Sequence, residues 1–507
     1  MSHSRTSEDL FNLLHSLGQA EKRYFKVFVK KTSKRAHNSI LLFDAILKQR
    51  VYDEAALKQT FADTPIAAHF SSEKVYLQRL VMKSLRAYHA EASEEGKLKD
   101  LLHDAMILRE RSLFGMSRKA ITKAKSKARN LESWTVLCEA LEFERTLIKE
   151  TASKGVAEEL SANLEERLEA MERLKEEHHF TTIYDRLFLE VRSRVIMRSP
   201  EMLHAAQRWF QDHQMDHIDQ PRSIRSKLYF HFSHALYHQL TGNPSLSHHA
   251  YQQVIEVWDA HPQAIRNNRV RYLRTLCNFL GSCHINDQLA DFPPVLAKAQ
   301  AFTADTPQLK MEHFKGVVYY ELLYYLAIGK FEQGRELARN IEEGLDRFGP
   351  QINQARIFGF RYNLCILYFA LEDFKSSLRW LNRILNGPRT EQRQDIQQVA
   401  RIMQMILHFE LGNVELLDSL LRSTYRYLHG RGSWEGFEKM VSDSLRRAVG
   451  LVDPKKLQKE FDALYRKLID FRKTEKQVPG LRELIYWLEY KIEGIPLREV
   501  VIRGMKN

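Results

Sequence analysis

The segment YLAIGKFEQGRELARNI, residues 325–341, decides the fold of this chain. It places an aromatic ring at the end of one amphipathic stretch, then a breaker at Gly329, then Phe331 and further small or apolar residues at steps of three and four. A helix of period 3.6 puts such residues on one face, and the glycine interrupts it. The same arrangement recurs as YFALEDFKSSLRWLNRI at 368–384 and HFELGNVELLDSLLRST at 408–424. Each segment therefore predicts two antiparallel helices joined by a tight turn.

The turn recurs along the chain at intervals of about 42 residues. Helix-breaking positions fall at Gly115, Gly155, Pro200, Gly242, Asp287, Gly329, Glu372 and Gly412. A second series lies in counter-phase, at Pro221, Pro262, Pro307, Pro350 and Pro388. Two alternating turns in each period are typical of stacked helical hairpins. We therefore expect an all-α chain whose central part, residues 93–430, holds about eight hairpins.

The spacing Tyr325-x3-Gly329-x-Phe331-x2-Gly334-x3-Ala338 resembles the tetratricopeptide repeat. This resemblance implies a right-handed α-solenoid of antiparallel helical hairpins, with each helix about one turn longer than in the usual unit of about 34 residues. It also implies binding of other proteins. Three further segments, LHSLGQAEKRYFKVFVKK at 14–31, SEKVYLQRLVMKSLRAYH at 72–89 and ELIYWLEYKIEG at 483–494, resemble those of an uncharacterised family of bacterial cytoplasmic proteins. That second resemblance implies no chemistry.

Two terminal regions differ from the repeats. Residues 1–92 predict a basic helical N-terminal domain with helices near 7–17, 20–32, 38–49, 53–61 and 72–90. Residues 431–507 predict a helical C-terminal cap that covers the last repeat, with helices near 433–449 and 454–473 and a third after Pro479-Gly480. The short stretch Arg498 to Arg503 fits a strand or a helix, and we favour the helix.

Composition restricts the class of protein. The net charge is +13, and residues 1–90 carry 15 Lys or Arg against 8 Asp or Glu, so about half of the excess lies there. Such a surface favours acidic partners or nucleic acid. The four cysteines form no CxxC pair and fit buried thiols. Without a signal-peptide pattern or an uncharged run of about 18 apolar residues, we expect a cytoplasmic protein with no membrane contact.

Motifs for catalysis or for a cofactor are missing from the sequence. It contains no GxSxG, no GxxxxGK[ST], no HExxH and no GxGxxG after a strand. His231, His234 and His238 share one helical face, with His248 and His249 on the next helix, but a closed metal site wants Cys or carboxylate ligands as well. We therefore predict a protein that is not an enzyme and that binds no metal or cofactor.

Two charged helices are interpreted as solvated faces. The basic run from Arg118 to Arg129 could meet phosphates, although a solvent-exposed face explains it better. The acid pairs Glu158-Glu159, Glu165-Glu166 and Glu176-Glu177 are placed on the solvent side of a helix. Its apolar stripe is predicted to be Leu160, Leu164, Leu168, Met171 and Leu174.

The N-terminal domain offers an alternative function. Its helix at 53–61 and the helix from Ser72 follow each other as in a helix-turn-helix, which would place Lys74, Gln78 and Arg79 on the exposed side. The connection from Ala62 to Ser71 is longer than the usual three or four residues. The corresponding hypothesis is a transcription regulator in which residues 1–92 contact DNA and the repeats act as sensor.

The leading hypothesis is a scaffold or regulator that binds a peptide or helix of a protein partner in the groove lined by the first helices. Residues there that the core does not need are Asn268, Arg271, Tyr272, Tyr319, Tyr320, Arg361, Tyr362 and Asn363. Arginine and asparagine would hold a peptide backbone or carboxylate, and the rings would supply apolar area. The sequence does not specify an oligomeric state.

Overall fold

In the computed structural model, the described residues are 3–32, 36–89, 93–151, 155–193, 200–213, 215, 221–286, 288–387, 394–429, 436–449, 451, 453–474 and 480–504. Within these ranges all the regular secondary structure is helical and no β-strand occurs, as the sequence predicts. None of the described helices is long and apolar enough to span a bilayer. Residues 1–269 and 270–507 form two compact units.

The first unit begins with a bundle around a long central helix. Its helices are α1 His3–Ser16, α2 Gln19–Thr32, α3 Ala36–Lys48, α4 Glu54–Thr60, α5 Pro65–Ala68 and α6 Phe70–His89. Helices α1, α2, α3 and α5 all pack against α6, and Leu14, Phe25, Phe43 and Leu77 are almost completely buried between them. The five predicted helices are confirmed. The short helix α5, inside the predicted connection, was not foreseen, and α6 begins at Phe70 rather than Ser72.

Eight further helices follow within the described residues of this unit. They are α7 Glu94–Glu110, α8 Phe114–Asn130, α9 Trp134–Thr151, α10 Val156–Ser193, α11 Pro200–Asp212, α12 Ile224–Leu240, α13 Pro244–Asp259 and α14 Pro262–Asn267. Each helix from α7 to α10 packs on the next one, α10 then packs on α12, and α12 packs on α13. Neighbours in sequence are therefore neighbours in space, which is the contact pattern of helical hairpins.

The second unit continues in the same manner. Its helices are α15 Arg269–Ile285, α16 Phe292–Gln300, α17 Pro307–His313, α18 Tyr319–Ala327, α19 Phe331–Phe348, α20 Gln354–Ala370, α21 Phe374–Leu385, α22 Gln394–Glu410, α23 Val414–His429, α24 Phe437–Val449, α25 Pro454–Thr474, α26 Leu481–Glu493 and α27 Leu497–Gly504. A π-helical turn, Phe314–Val318, joins α17 to α18. The stretch 498–503 lies in α27 and is helical, as favoured.

Left-handed backbone marks most of the predicted turns. The φ angle is positive at the predicted breakers Gly155, Gly242, Gly329, Glu372 and Gly412. Glycine has no Cβ to clash in this conformation, which explains its recurrence there. The first turn is an exception, because Ser112 has φ 58° while Gly115 lies inside α8. Pro200, Pro262 and Pro307 each begin a helix, whereas Asp287 and Pro388 lie outside the described residues.

Two glutamates stand in left-handed turns, at φ 49° for Glu132 and φ 59° for Glu372. Both carboxylates accept a hydrogen bond from the first backbone N–H of a helix far along the chain. Glu132 accepts one from Ile224 N at 2.7 Å, at the start of α12. Glu372 accepts one from Leu497 N at 3.1 Å, at the start of α27. A carboxylate suits a helix N-terminus, where N–H groups lack partners, so this bond offsets the cost of about 1–2 kcal/mol of the left-handed conformation.

Helix α10 contradicts the predicted apolar stripe. Leu164, Leu168 and Met171 are exposed by 46%, 54% and 53%. The buried side of this part of the helix carries Asn163 and Ala170 instead, and the Asn163 side chain donates to Leu141 O at 3.0 Å. Periodicity identifies an apolar stripe, but the polar partners that α9 presents select the opposite face.

The prediction that the acid pair Glu176-Glu177 lies on the solvent side of α10 is also wrong. Glu176 and Glu177 are mostly buried rather than solvated. Glu176 accepts hydrogen bonds from Arg222 N and Nε, both at 2.9 Å, and Glu177 accepts one from Ser223 Oγ at 3.1 Å. The two carboxylates thus hold the start of α12.

The basic run of α8 is largely neutralised inside the molecule. Lys125 contacts Glu144 and Glu166, at 2.7 and 2.9 Å. Arg118 pairs with Glu159 at 2.7 Å, and Lys127 and Arg129 also form ion pairs. Only Lys119 and Lys123 of the run are exposed without an ion pair to the described residues. The solvent-exposed face favoured for this run is therefore corrected for Lys125 and Lys127, whose side chains are mostly buried in ion pairs, and is confirmed for Lys119 and Lys123.

Candidate functional site

The predicted groove residues begin on either side of the boundary between the two units. Asn268 belongs to the first unit, and its side chain donates to Ala264 O at 3.1 Å, at the end of α14. Tyr272 belongs to the second unit and is only 4% exposed, with its ring 6.0 Å from that of Phe302. Arg271 beside it is partly buried. Tyr272 is therefore a core residue rather than a groove residue, because α15 turns this face toward α16.

Tyr319 and Tyr320 fill gaps left by glycines on neighbouring helices. A Cβ placed on Gly281 of α15 would lie 2.6 Å from Tyr320 Oη. A Cβ placed on Gly359 of α20 would lie 2.8 Å from Tyr319 Oη. The two rings thus occupy space that any larger residue would take. Both rings are therefore used in packing between helices, and their role in ligand binding stays a prediction.

A cluster of charges surrounds the π-helical turn beside these tyrosines. Buried Glu312 contacts Arg274 Nη2 at 2.5 Å and Lys315 Nζ at 2.9 Å. Burial acts to raise the pKa of Glu312, but these two hydrogen bonds outweigh it and the net shift is downward. Burial raises the pKa of the neighbouring Cys277 thiol to about 12. The carboxylate is therefore charged and internally paired, and the thiol is protonated at neutral pH.

Arg356 of α20 lies over the two tyrosines. Its guanidinium carbon is 4.0 Å from the Tyr319 ring centroid and 5.5 Å from that of Tyr320. Burial acts to lower the pKa of Arg356, but Tyr320 and Tyr319 outweigh it and raise it. The cation therefore stays charged. It has no carboxylate of the described residues within ion-pair distance, and the rings supply its closest stabilisation.

Two further arginines occupy equivalent positions of successive repeats. Arg361 lies eleven residues before the left-handed Glu372, and Arg401 lies eleven residues before the left-handed Gly412. Their helices, α20 and α22, pack against each other. We call Arg361 and Arg401 the arginine pair.

The arginine pair is only partly satisfied by the described residues. Arg361 Nη1 donates to Arg383 O at 2.6 Å, at the end of α21. Arg401 lies 3.9 Å from the centroid of the Tyr427 ring. The Nε atoms of both arginines are buried without a hydrogen-bond partner, and neither arginine forms an ion pair within the described ranges. Burial, together with nearby Arg383, lowers the pKa of Arg361. Both cations would gain from an external anion.

Of the predicted groove residues, Tyr362 and Asn363 follow Arg361 on α20 and are partly buried. Arg361 thus remains a candidate, and the structure adds Arg356 and Arg401, which are not among the residues predicted from the sequence. Counting back from the turn residue would have identified Arg401, because it repeats the position of Arg361. No comparable signal marks Arg356, whose tyrosine partners lie more than thirty residues away.

The predicted nucleic-acid contacts on α6 differ in their exposure. The prediction that Lys74 lies on the exposed side of α6 is wrong. Its side chain is only 11% exposed, and its Nζ lies 2.5 Å from Glu54 Oε2 of α4. Gln78 and Arg79 are exposed, as predicted, and Arg79 forms no ion pair within the described residues.

The histidine face of α12 packs among aromatic rings. His234 lies 4.5 Å from Phe230 and 5.0 Å from Phe210, measured between ring centroids. Burial lowers the pKa of His231. The described residues hold no group of three or more His, Cys, Asp or Glu side chains placed to bind a metal ion.

No protein-family model matches the chain, and no curated protein matches it either. The resemblance to tetratricopeptide repeats therefore stays a prediction that rests on the spacing of turns and apolar residues.

Proposed function

We propose that this chain is a non-catalytic protein-binding module of the cytoplasm, a scaffold or regulator that holds an acidic segment of a partner protein with Arg361 and Arg401. In this proposal the hairpins stack as a right-handed, tetratricopeptide-like solenoid. The first helices then form one binding face, and Arg356 adds a third cation on α20. Residues 1–92 then form the N-terminal domain, and residues 431–507 form a cap that covers the last repeat.

The observation that carries this proposal is the arginine pair itself. A partly buried guanidinium without a carboxylate is unfavourable unless an anion reaches it. Adjacent packed helices have axes about 8–10 Å apart, so equivalent arginines on them would be separated by a similar distance. In an extended peptide of the polyproline II type, with three residues per turn and a rise of about 3.1 Å per residue, side chains three residues apart share a face and lie about 9 Å apart. An extended segment with acids at every third residue therefore matches the pair.

The buried thiols and the buried Glu312 carboxylate of the second unit favour binding over catalysis. The pKa values of the Cys277, Cys283 and Cys365 thiols are each raised by burial to about 12, which leaves them unreactive at neutral pH. Glu312, a buried carboxylate of the second unit, is held by two cations, Arg274 and Lys315. We accordingly propose no cofactor.

The test uses the full-length chain and three synthetic peptides, with glutamate, glutamine or lysine at every third position. Fluorescence anisotropy should show binding of the glutamate peptide only. The double variant Arg361→Gln/Arg401→Gln should weaken it by at least tenfold, since a hydrogen bond to a charged group contributes about 1.5–3 kcal/mol. The matched control is Lys119→Gln/Lys123→Gln, which removes two exposed cations from α8. Equal affinity for all three peptides, or equal loss in the control, would contradict the proposal.

A second candidate function, the transcription regulator, is favoured by the exposed cations of α6. Arg79, Lys83 and Arg86 are exposed and form no ion pair within the described residues. If they contact phosphates, duplex affinity should fall steeply with salt, and Arg79→Glu/Lys83→Glu should abolish it. No binding to duplex DNA at low salt excludes this function. The exposed apolar residues Val75 and Met82 lie among these cations. Phosphates would give them no apolar contact, so this function leaves their exposure unexplained.

A further inference from the structure

Two exposed helix faces of the first unit carry apolar residues at the same spacing. On α10, Leu164 and Met171 are seven residues apart, with Leu168 between them. On α6, Val75 and Met82 are also seven residues apart, and they are exposed by 50% and 40%. At a rise of 1.5 Å per residue, both pairs span about 10.5 Å. The apolar side chains of one face can therefore lie opposite those of the other.

The charges beside these residues are opposite in sign. On α10, Glu165, Glu169 and Glu172 each directly follow one of the three apolar residues, and all three are exposed. Glu165 forms no ion pair within the described residues, whereas Glu169 and Glu172 contact only the cations of their own helix, at 3.4 and 3.7 Å. They form an acidic edge on a chain whose net charge is +13.

On α6 the neighbouring charges are Arg79, Lys83 and Arg86. In general, two amphipathic helices pack through their apolar residues and pair opposite charges on either side of them. These charge pairs determine which helices associate and in which register. The α10 face fits a basic amphipathic helix, and α6 is one.

We infer that α10 of one chain binds α6 of a second copy of the same chain, through Leu164, Leu168 and Met171 against Val75 and Met82. Both faces occur on every copy, so two copies can form the contact twice in a symmetric dimer. The apolar stripe of α10 faces solvent within one chain because its partner is another chain. Five apolar side chains make a contact at the small end of specific interfaces, which are below about 1,200 Å² in total, so the association is reversible.

The test is a charge exchange measured by sedimentation velocity on the full-length chain, at concentrations up to about 100 µM. One variant carries Arg79→Glu/Lys83→Glu on α6. The other carries Glu165→Lys/Glu172→Lys on α10. The parent chain should associate as concentration rises, each variant alone should stay monomeric, and an equimolar mixture of the two should associate again. Restored association also shows that both variants are folded.

Matched controls change the same charges elsewhere, with Lys119→Glu/Lys123→Glu on α8 and Glu343→Lys/Asp346→Lys on α19, and both should associate like the parent. A monomeric parent, or a mixture that stays monomeric, overturns the inference. The inference also fails if the parent stays monomeric but binds duplex DNA, and if only the α6 variant loses that DNA binding. That outcome assigns α6 to nucleic acid.

Discussion

Gly329 lies in a left-handed turn against the C-terminal helix α27, and the structure gives the expected loss of stability when this glycine is replaced. Gly329 has φ +72°, and a Cβ placed there would lie 2.5 Å from Ile502 Cγ1 and 3.2 Å from its Cδ1. Replacement by alanine therefore adds two effects. The left-handed conformation costs a residue with a Cβ about 1–2 kcal/mol, and overpacking against Ile502 costs about 1–3 kcal/mol more. We expect Gly329→Ala to lower the free energy of unfolding by about 2–5 kcal/mol.

Gly412 provides the matched control. It has φ +71°, and no atom lies within 4 Å of a Cβ placed on it, so Gly412→Ala should show the conformational cost alone. Equilibrium urea unfolding of the full-length chain measures both losses, as shifts of the midpoint at constant slope. In an Ile502→Ala background the excess loss of Gly329→Ala over Gly412→Ala should disappear. Equal losses for the two glycines, or an excess that persists without Ile502, would refute the packing of α27 on this turn.

Three further predictions concern packing and buried carboxylates. Gly281→Ala should destabilise the chain by about 1–3 kcal/mol because its Cβ meets Tyr320 Oη, and Tyr320→Phe should recover part of that loss in urea unfolding. Glu312→Gln should destabilise the chain by about 1–3 kcal/mol at neutral pH. Since its pKa is lowered in the fold, this loss should shrink as the pH falls below 4.5. Burial raises the pKa of Glu132 above 4.5, so its contribution to stability is complete below pH 4.5 and is lost as the pH rises through the folded-state pKa. In thermal melts at several pH values, the melting temperature of Glu132→Gln relative to the parent should therefore increase as the pH rises above 4.5. A difference in melting temperature that does not change with pH would contradict the raised pKa of Glu132.

The sequence predicts the turns well because their cause is local. A left-handed residue can be identified without knowledge of any partner when it is glycine, as at Gly329 and Gly412. Glu372 was identified by its place in the repeat, although the bond to Leu497 N that stabilises it spans 125 residues. Ser112 was missed because Gly115, three residues later, offered the more obvious break.

Side-chain roles were predicted less well, because partners about twenty to forty residues away decide them. Tyr320 looks available on a helical wheel, yet Gly281 on another helix receives its ring. Leu168 has the spacing of a core residue, but α9 contacts the opposite side of α10. Lys74 has the spacing of an exposed residue, but it pairs with Glu54 of α4 and most of its side chain is buried. Periodicity shows which residues share a face and leaves open which face is buried.

The most direct test of the acidic-segment proposal is hydrogen exchange measured by mass spectrometry on the full-length chain, with and without the glutamate peptide. We expect slower hydrogen exchange in 354–370 and 394–410, the helices of the arginine pair. The exchange rates should not change when the peptide carries glutamine instead of glutamate. The variant Arg361→Gln/Arg401→Gln should lose this protection. Protection confined to other helices, or protection that survives in the variant, would contradict the account.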